Sequence, residues 1–166
     1  MTDDSFASLT RRPGDRAEIR FERLLSHPRE QVWHALTDPG ELAYWFPCRI
    51  EGEFLPGGAL RFVFPDGEME DTSGVVLAAD PPRLLELRWA TDLLRFELAA
   101  RDGACRLVFT HTMDVGDHPT PSARTAAGWD GCLAQLAARL DGRDVPSSTE
   151  HWPERNTAYL ARFADQ

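Results

Sequence analysis

A chain of 166 residues, 42% of them hydrophobic and 10% aromatic, carries enough apolar side chain for one domain with a substantial core. Its net charge of −9 and pI near 5.0 argue against a broad electrostatic surface for nucleic acid or anionic membrane. The opening MTDDSFASLTRRPGDR has no basic segment followed by an apolar one, and no run approaches the roughly 18 apolar residues of a membrane span, so a cytoplasmic protein without membrane insertion is expected.

In chain order, residues 1–15 are polar, hold Pro13 and Gly14, and read as a flexible leader. From Arg16, Ala17, Ile19 and Phe21 alternate with Glu18, Arg20 and Glu22, the pattern of a half-buried strand. His27-Pro28 ends it, and Val32, Trp33 and Leu36 then recur at helical spacing. Asp38-Pro39-Gly40-Glu41 supplies a cap, a proline for the first helical position and the third-position glutamate of a capping box, so a second short helix carries Leu42, Tyr44, Trp45 and Phe46. After Pro47 the period changes. Strands are expected over Arg49 to Phe54, Ala59 to Phe64, Glu70 to Ala79, Leu84 to Trp89, Leu93 to Ala99 and Cys105 to Met113. The spacers between them are short, as antiparallel neighbours require; parallel strands need long crossovers.

The stretch TPSARTAAGWDGCLAQLAARL, Thr120 to Leu140, predicts a helix about 30 Å long. Pro121 suits its first turn, and Ala126, Trp129, Leu133, Leu136 and Leu140 fall on one stripe. Leu85, Leu87 and Trp89 share a strand face, as do Leu94, Phe96 and Leu98, and Cys105, Leu107, Phe109 and His111; Glu86, Arg88, Arg95, Glu97 and Arg106 take the opposite faces. One side of the sheet is therefore wet and the other lies under the long helix. Residues 143–166 give a polar linker and a short helix with Trp152, Tyr159, Leu160 and Phe163, which docks on the body formed by residues 16–142.

This order resembles the helix-grip fold of the START-like (SRPBCC) superfamily. The resemblance narrows through PREQVWHALTDPGELAYWF (Pro28 to Phe46), GGALRF (Gly57 to Phe62), VVLAADPPRLLELRW (Val75 to Trp89), RLVFTHTM (Arg106 to Met113) and GWDGCLAQLAARL (Gly128 to Leu140). These blocks are similar, in the same order, to the family related to the C-terminal domain of the activator of the heat-shock-protein-90 ATPase. The expected fold is α+β: a helix-grip (START or pollen-allergen-like) fold with a seven-stranded curved antiparallel sheet wrapped on a long C-terminal helix, and two short helices after the first strand.

The resemblance implies a cavity between sheet and long helix that takes a small hydrophobic or aromatic molecule. Its wall is expected to draw on Trp45 and Phe46 from the short-helix corner, on Phe62, Phe64, Trp89, Phe96, Phe109 and His111 from the strands, and on Trp129 and Leu133 from the long helix. Gly128 and Gly131, in mid-helix, signal close approach of another element or space beneath the helix. Two other readings stand beside ligand binding. One is a co-chaperone-like interaction module that contacts a chaperone; the other is a cyclase or aromatase-type enzyme using His111 as acid or base. His118, before the long helix, and the acidic hairpin residues Glu68, Glu70 and Asp71 are read as solvated. No HxH, HExxH, CxxC, GxSxG or phosphate-loop motif occurs, so neither a metal nor a cofactor is expected, and Cys48, Cys105 and Cys132 read as reduced packing residues. Relatives of this architecture associate through sheet edges or the long helix, which makes a homodimer an expectation.

Overall fold

The structure is a computed structural model that describes residues 5–67, 69–116 and 120–166; Glu68 and His118, named above, lie outside the described residues. In chain order it contains β1 (Ser8–Arg12), β2 (Arg16–Leu25), α1 (Arg29–Thr37), α2 (Pro39–Trp45), β3 (Arg49–Gly52), β4 (Ala59–Val63), β5 (Thr72–Asp80), β6 (Leu84–Trp89), β7 (Asp92–Arg101), β8 (Ala104–Asp114), α3 (Thr120–Leu140) and α4 (Trp152–Phe163). The strands form one antiparallel sheet in the order β1-β2-β8-β7-β6-β5-β4-β3. The architecture is the expected helix grip, with α3 packed over one face of the sheet.

The sheet has eight strands among the described residues, one more than the seven expected, and the extra strand falls inside the segment read as a flexible leader. Pro13-Gly14-Asp15 is a tight hairpin loop: Arg12 pairs with Arg16 across it, and Gly14 and Asp15 take φ of 78° and 57°. Ala7 and Leu9 are buried. The C-terminal segment fastens this strand from far along the chain. The Ala7 N–H donates to the Tyr159 hydroxyl at 2.9 Å, and the Leu9 N–H donates to the Gln166 side-chain carbonyl at 3.2 Å. Phe6 meets Tyr159 edge-on at 5.4 Å, with the Arg162 guanidinium 3.7 Å above the Phe6 ring.

Strand parity falls as the alternation predicts. Cys105, Leu107, Phe109 and His111 are buried on the helix-covered face, as are Leu94, Phe96 and Leu98. The opposite face carries ion pairs such as Arg95 with Glu86 at 2.8 Å and Arg20 with Glu22 at 3.2 Å, which are partly exposed and add little to stability. The corner before β3 is fixed by two hydrogen bonds. The Asp38 carboxylate caps α2 by accepting from the Glu41 N–H at 3.1 Å, and the Trp45 indole N–H donates to the Ala35 carbonyl at 2.9 Å. The Arg139 guanidinium then grips Glu41 through two bonds of 3.0 and 2.9 Å, which ties the end of α3 to the start of α2.

Helix α3 is covered on two sides. Ala126, Trp129, Leu133 and Leu136 are buried in the core, while α4 packs on α3 and buries Tyr159 and Phe163. Between them sits Asp130, which receives the Arg23 guanidinium at 2.7 Å and a hydrogen bond from Tyr159.

Candidate functional site

The space between sheet and α3 is mostly filled by interlocked rings. Phe96 and Phe109 stack with centroids 4.5 Å apart, Trp45 meets Phe96 edge-on at 6.3 Å, and Phe109 meets Trp129 edge-on at 4.7 Å. Phe46 sits among Phe62, Trp89 and Trp129 at 5.5 to 6.2 Å. At these distances the rings are in ordinary packing contact, so Trp45, Phe46, Phe62, Phe96 and Phe109 are core residues. Burial of large rings on both facing elements fills the centre of the layer between the sheet and α3.

A hollow does exist at one end. A cleft of about 570 Å³ opens where the β6–β7 hairpin, the end of β8 and the middle of α3 meet the segment leading into α4. Four of the ten expected residues line it: Phe64, Trp89, His111 and Trp129. Trp89 stacks on Phe62 at 4.7 Å and also lines the cleft, which joins the cleft wall to the core stack. Leu133, also expected, instead borders a second and smaller depression of about 350 Å³ beside Arg23 and Asp130.

The polar centre of the cleft is a chain of hydrogen bonds. Trp129 Nε1–H donates to His111 Nδ1 at 2.8 Å, and His111 Nε2 lies 2.8 Å from Asp92 Oδ2. An indole nitrogen can only donate, so Nδ1 is the acceptor and the ring hydrogen sits on Nε2, pointing to the carboxylate. Both ring nitrogens are thereby engaged, and His111 is only 5% exposed. All three residues line the cleft, and the Asp92 side chain, 30% exposed, is more open to it than that of His111. The sequence reading places Asp92 in a spacer. The structure pairs it with Trp89 across the two-residue turn Ala90-Thr91, and at that register it shares the inward parity of Leu94 and Phe96. Counting back two residues from Leu94 is the signal that finds it.

The two helical glycines have different reasons. A Cβ at Gly128 would meet nothing within 4 Å, and Gly128 borders the cleft. A Cβ at Gly131 would sit 2.2 Å from the Ser148 carbonyl oxygen, because the chain after α3 doubles back across the helix there. Gln135 holds the same segment by donating to the Pro146 carbonyl at 2.8 Å. This strap brings Ser148, Thr149 and Trp152 to the cleft, three lining residues that local patterning assigns to a linker and a docking helix. Cys132 lines the cleft, and burial pushes its thiol up to about 12, as it does that of Cys48. Both are therefore protonated packing groups near neutral pH. Among the described residues, no three His, Cys, Asp or Glu side chains gather as a metal site, and no helix is long and apolar enough to cross a membrane.

Together these features define a helix-grip protein with an aromatic cleft between the β6–β7 hairpin and the middle of its long helix. The model of the family described as activator of Hsp90 ATPase homolog 1-like protein matches residues 26–141, and the chain belongs to that family. Solved structures agree on the fold. A conserved protein of unknown function, EF2215 from Enterococcus faecalis, is 23% identical with a TM-score of 0.80, over 96% of this chain and 91% of its own. CalU16 from Micromonospora echinospora is 24% identical with a TM-score of 0.76, over 95% and 96%. The Aha1 dimer from Colwellia psychrerythraea is 20% identical with a TM-score of 0.64, over 74% and 95%. Comparison with curated proteins gives no match.

Proposed function

We propose that the protein binds a small hydrophobic or aromatic molecule in the cleft between the β6–β7 hairpin, α3 and the strap. The observation that carries this reading is the cleft itself. Its volume of about 570 Å³ lies in the range of small-molecule sites, and Phe64, Trp89, Trp129 and Trp152 give it aromatic walls around a few polar groups. Gly128 supports the same reading, since a residue costing about 1 kcal/mol relative to alanine in a helix stands where it keeps the cleft wide. Engagement of both His111 nitrogens inside the protein favours binding over acid–base turnover by that histidine. A homodimer, the form of the Colwellia relative, is the assembly proposed for this chain, and sedimentation equilibrium checks it.

A thermal-shift screen of small aromatic metabolites tests the binding reading. A ligand present at 100 times its dissociation constant stabilises the folded protein by about 2.7 kcal/mol, a clear rise in Tm. Gly128→Leu, which fills the cleft from the helix side, removes that rise while leaving the fold intact. A screen in which no aromatic compound raises the Tm of the wild type contradicts the reading.

A further inference from the structure

Building on the cleft as a ligand site, we infer that it selects aromatic molecules bearing a hydrogen-bond donor, an ammonium group above all, and that Asp92 is the anchor that receives the donor. Trp129 and His111 do not offer their polar atoms to a guest, because each is spent on the next member of the chain. What that chain presents to the cleft is a carboxylate, an acceptor with lone pairs to spare after the bond from His111. His111 is the positioning residue: its Nε2–H fixes the carboxylate at the lip, and the Trp129 indole fixes the histidine tautomer.

The charge around the anchor points the same way. Among the described lining residues Asp92 is the only carboxylate, and none is a lysine or arginine. The Arg16 guanidinium, on the Thr91 carbonyl at 3.2 Å, is paired with Asp114. No Lys or Arg side chain among the described lining residues is therefore set against Asp92. The aromatic faces of Trp89, Trp129 and Trp152 add cation–π attraction for an ammonium in the same space. A carboxylated aromatic would bring like charge beside Asp92 and leave no cation to meet it.

Three naphthalenes of equal ring size test this: 2-naphthylmethylamine, 2-naphthylmethanol and 2-naphthoate, titrated by calorimetry near 150 mM salt, where the Debye length of about 8 Å screens the general −9 charge. The wild type is expected to bind the amine about tenfold or more tighter than the alcohol, and the acid weakest. Asp92→Asn, which can still accept from His111, is expected to lose that amine preference and to bind the alcohol within about threefold of wild type. In the wild type the amine also shifts the Trp129 indole N–H resonance, a readout independent of any variant. Equal binding of amine and acid, or an amine preference that survives in Asp92→Asn, overturns the anchor while leaving the cleft as a binding site. Failure of all three to bind overturns the cleft reading with it.

Discussion

Gly128 and Gly131 stand one helical turn apart on α3 and meet opposite surroundings, open cleft at one and the Ser148 carbonyl at the other. Alanine at position 128 adds a methyl group to empty space and removes the helical penalty of glycine, so Gly128→Ala is expected to gain about 1 kcal/mol in urea unfolding while weakening aromatic ligands. Alanine at position 131 drives a methyl group into the strap. Gly131→Ala is expected to lose about 1–3 kcal/mol and to raise amide exchange over residues 146–149, since the backbone there cannot swing aside as a flexible side chain can. Equal stability of the two variants would deny that the helix glycines serve different purposes. Sequence alone says that each glycine costs something. Only the path of the chain after Leu140 says which one makes room for a neighbour.

At the scale of elements, the two ends of the chain close on one another. Tyr159 on α4 accepts from Ala7 and donates to Asp130, so one hydroxyl joins the segment before β1 to α3 and α4. Tyr159→Phe is expected to cost about 1 kcal/mol or more and to speed amide exchange at Ala7 and Leu9 ahead of the rest of the sheet; uniform exchange would contradict that link. The tie between α2 and α3 has a pH signature. The hydrogen bonds from Arg139 hold the Glu41 carboxyl below its ordinary value near 4.5. A depressed carboxylate stabilises the fold above that value, and the contribution fades as pH falls through it towards the lowered one. Urea midpoints between pH 6 and 3 are therefore expected to drop more steeply in wild type than in Glu41→Gln. Asp130, raised by desolvation, runs in the opposite sense and cancels in that comparison. The order of elements from β2 to α3 was readable because alternation, caps and the long apolar stripe are local signals. β1 was not, since SLTRR holds one buried leucine and, beyond its pairing with β2, is fastened by partners about 150 residues away.

For the molecule as a whole, the sheet-facing aromatics divide into a solid interior and a wall at one end. Strand parity correctly predicts that Phe96, Phe109 and His111 face inward, and the helical stripe does so for Trp129. It does not predict which inward residues interlock and which border space, because that depends on ring contacts between elements remote in sequence. Trp152 enters the cleft through the strap, and Asp92 through a hairpin whose turn is one residue shorter than the spacer implies. The five tryptophans give a direct reading of this division, since each indole N–H yields its own NMR resonance. Trp89, Trp129 and Trp152 line the cleft, whereas the Trp45 N–H is locked onto the Ala35 carbonyl in the core. Titration with an aromatic ligand is expected to shift the first three indole signals saturably and leave Trp45 in place. Saturable movement of Trp45 with the cleft tryptophans unmoved would contradict the assignment of the binding site.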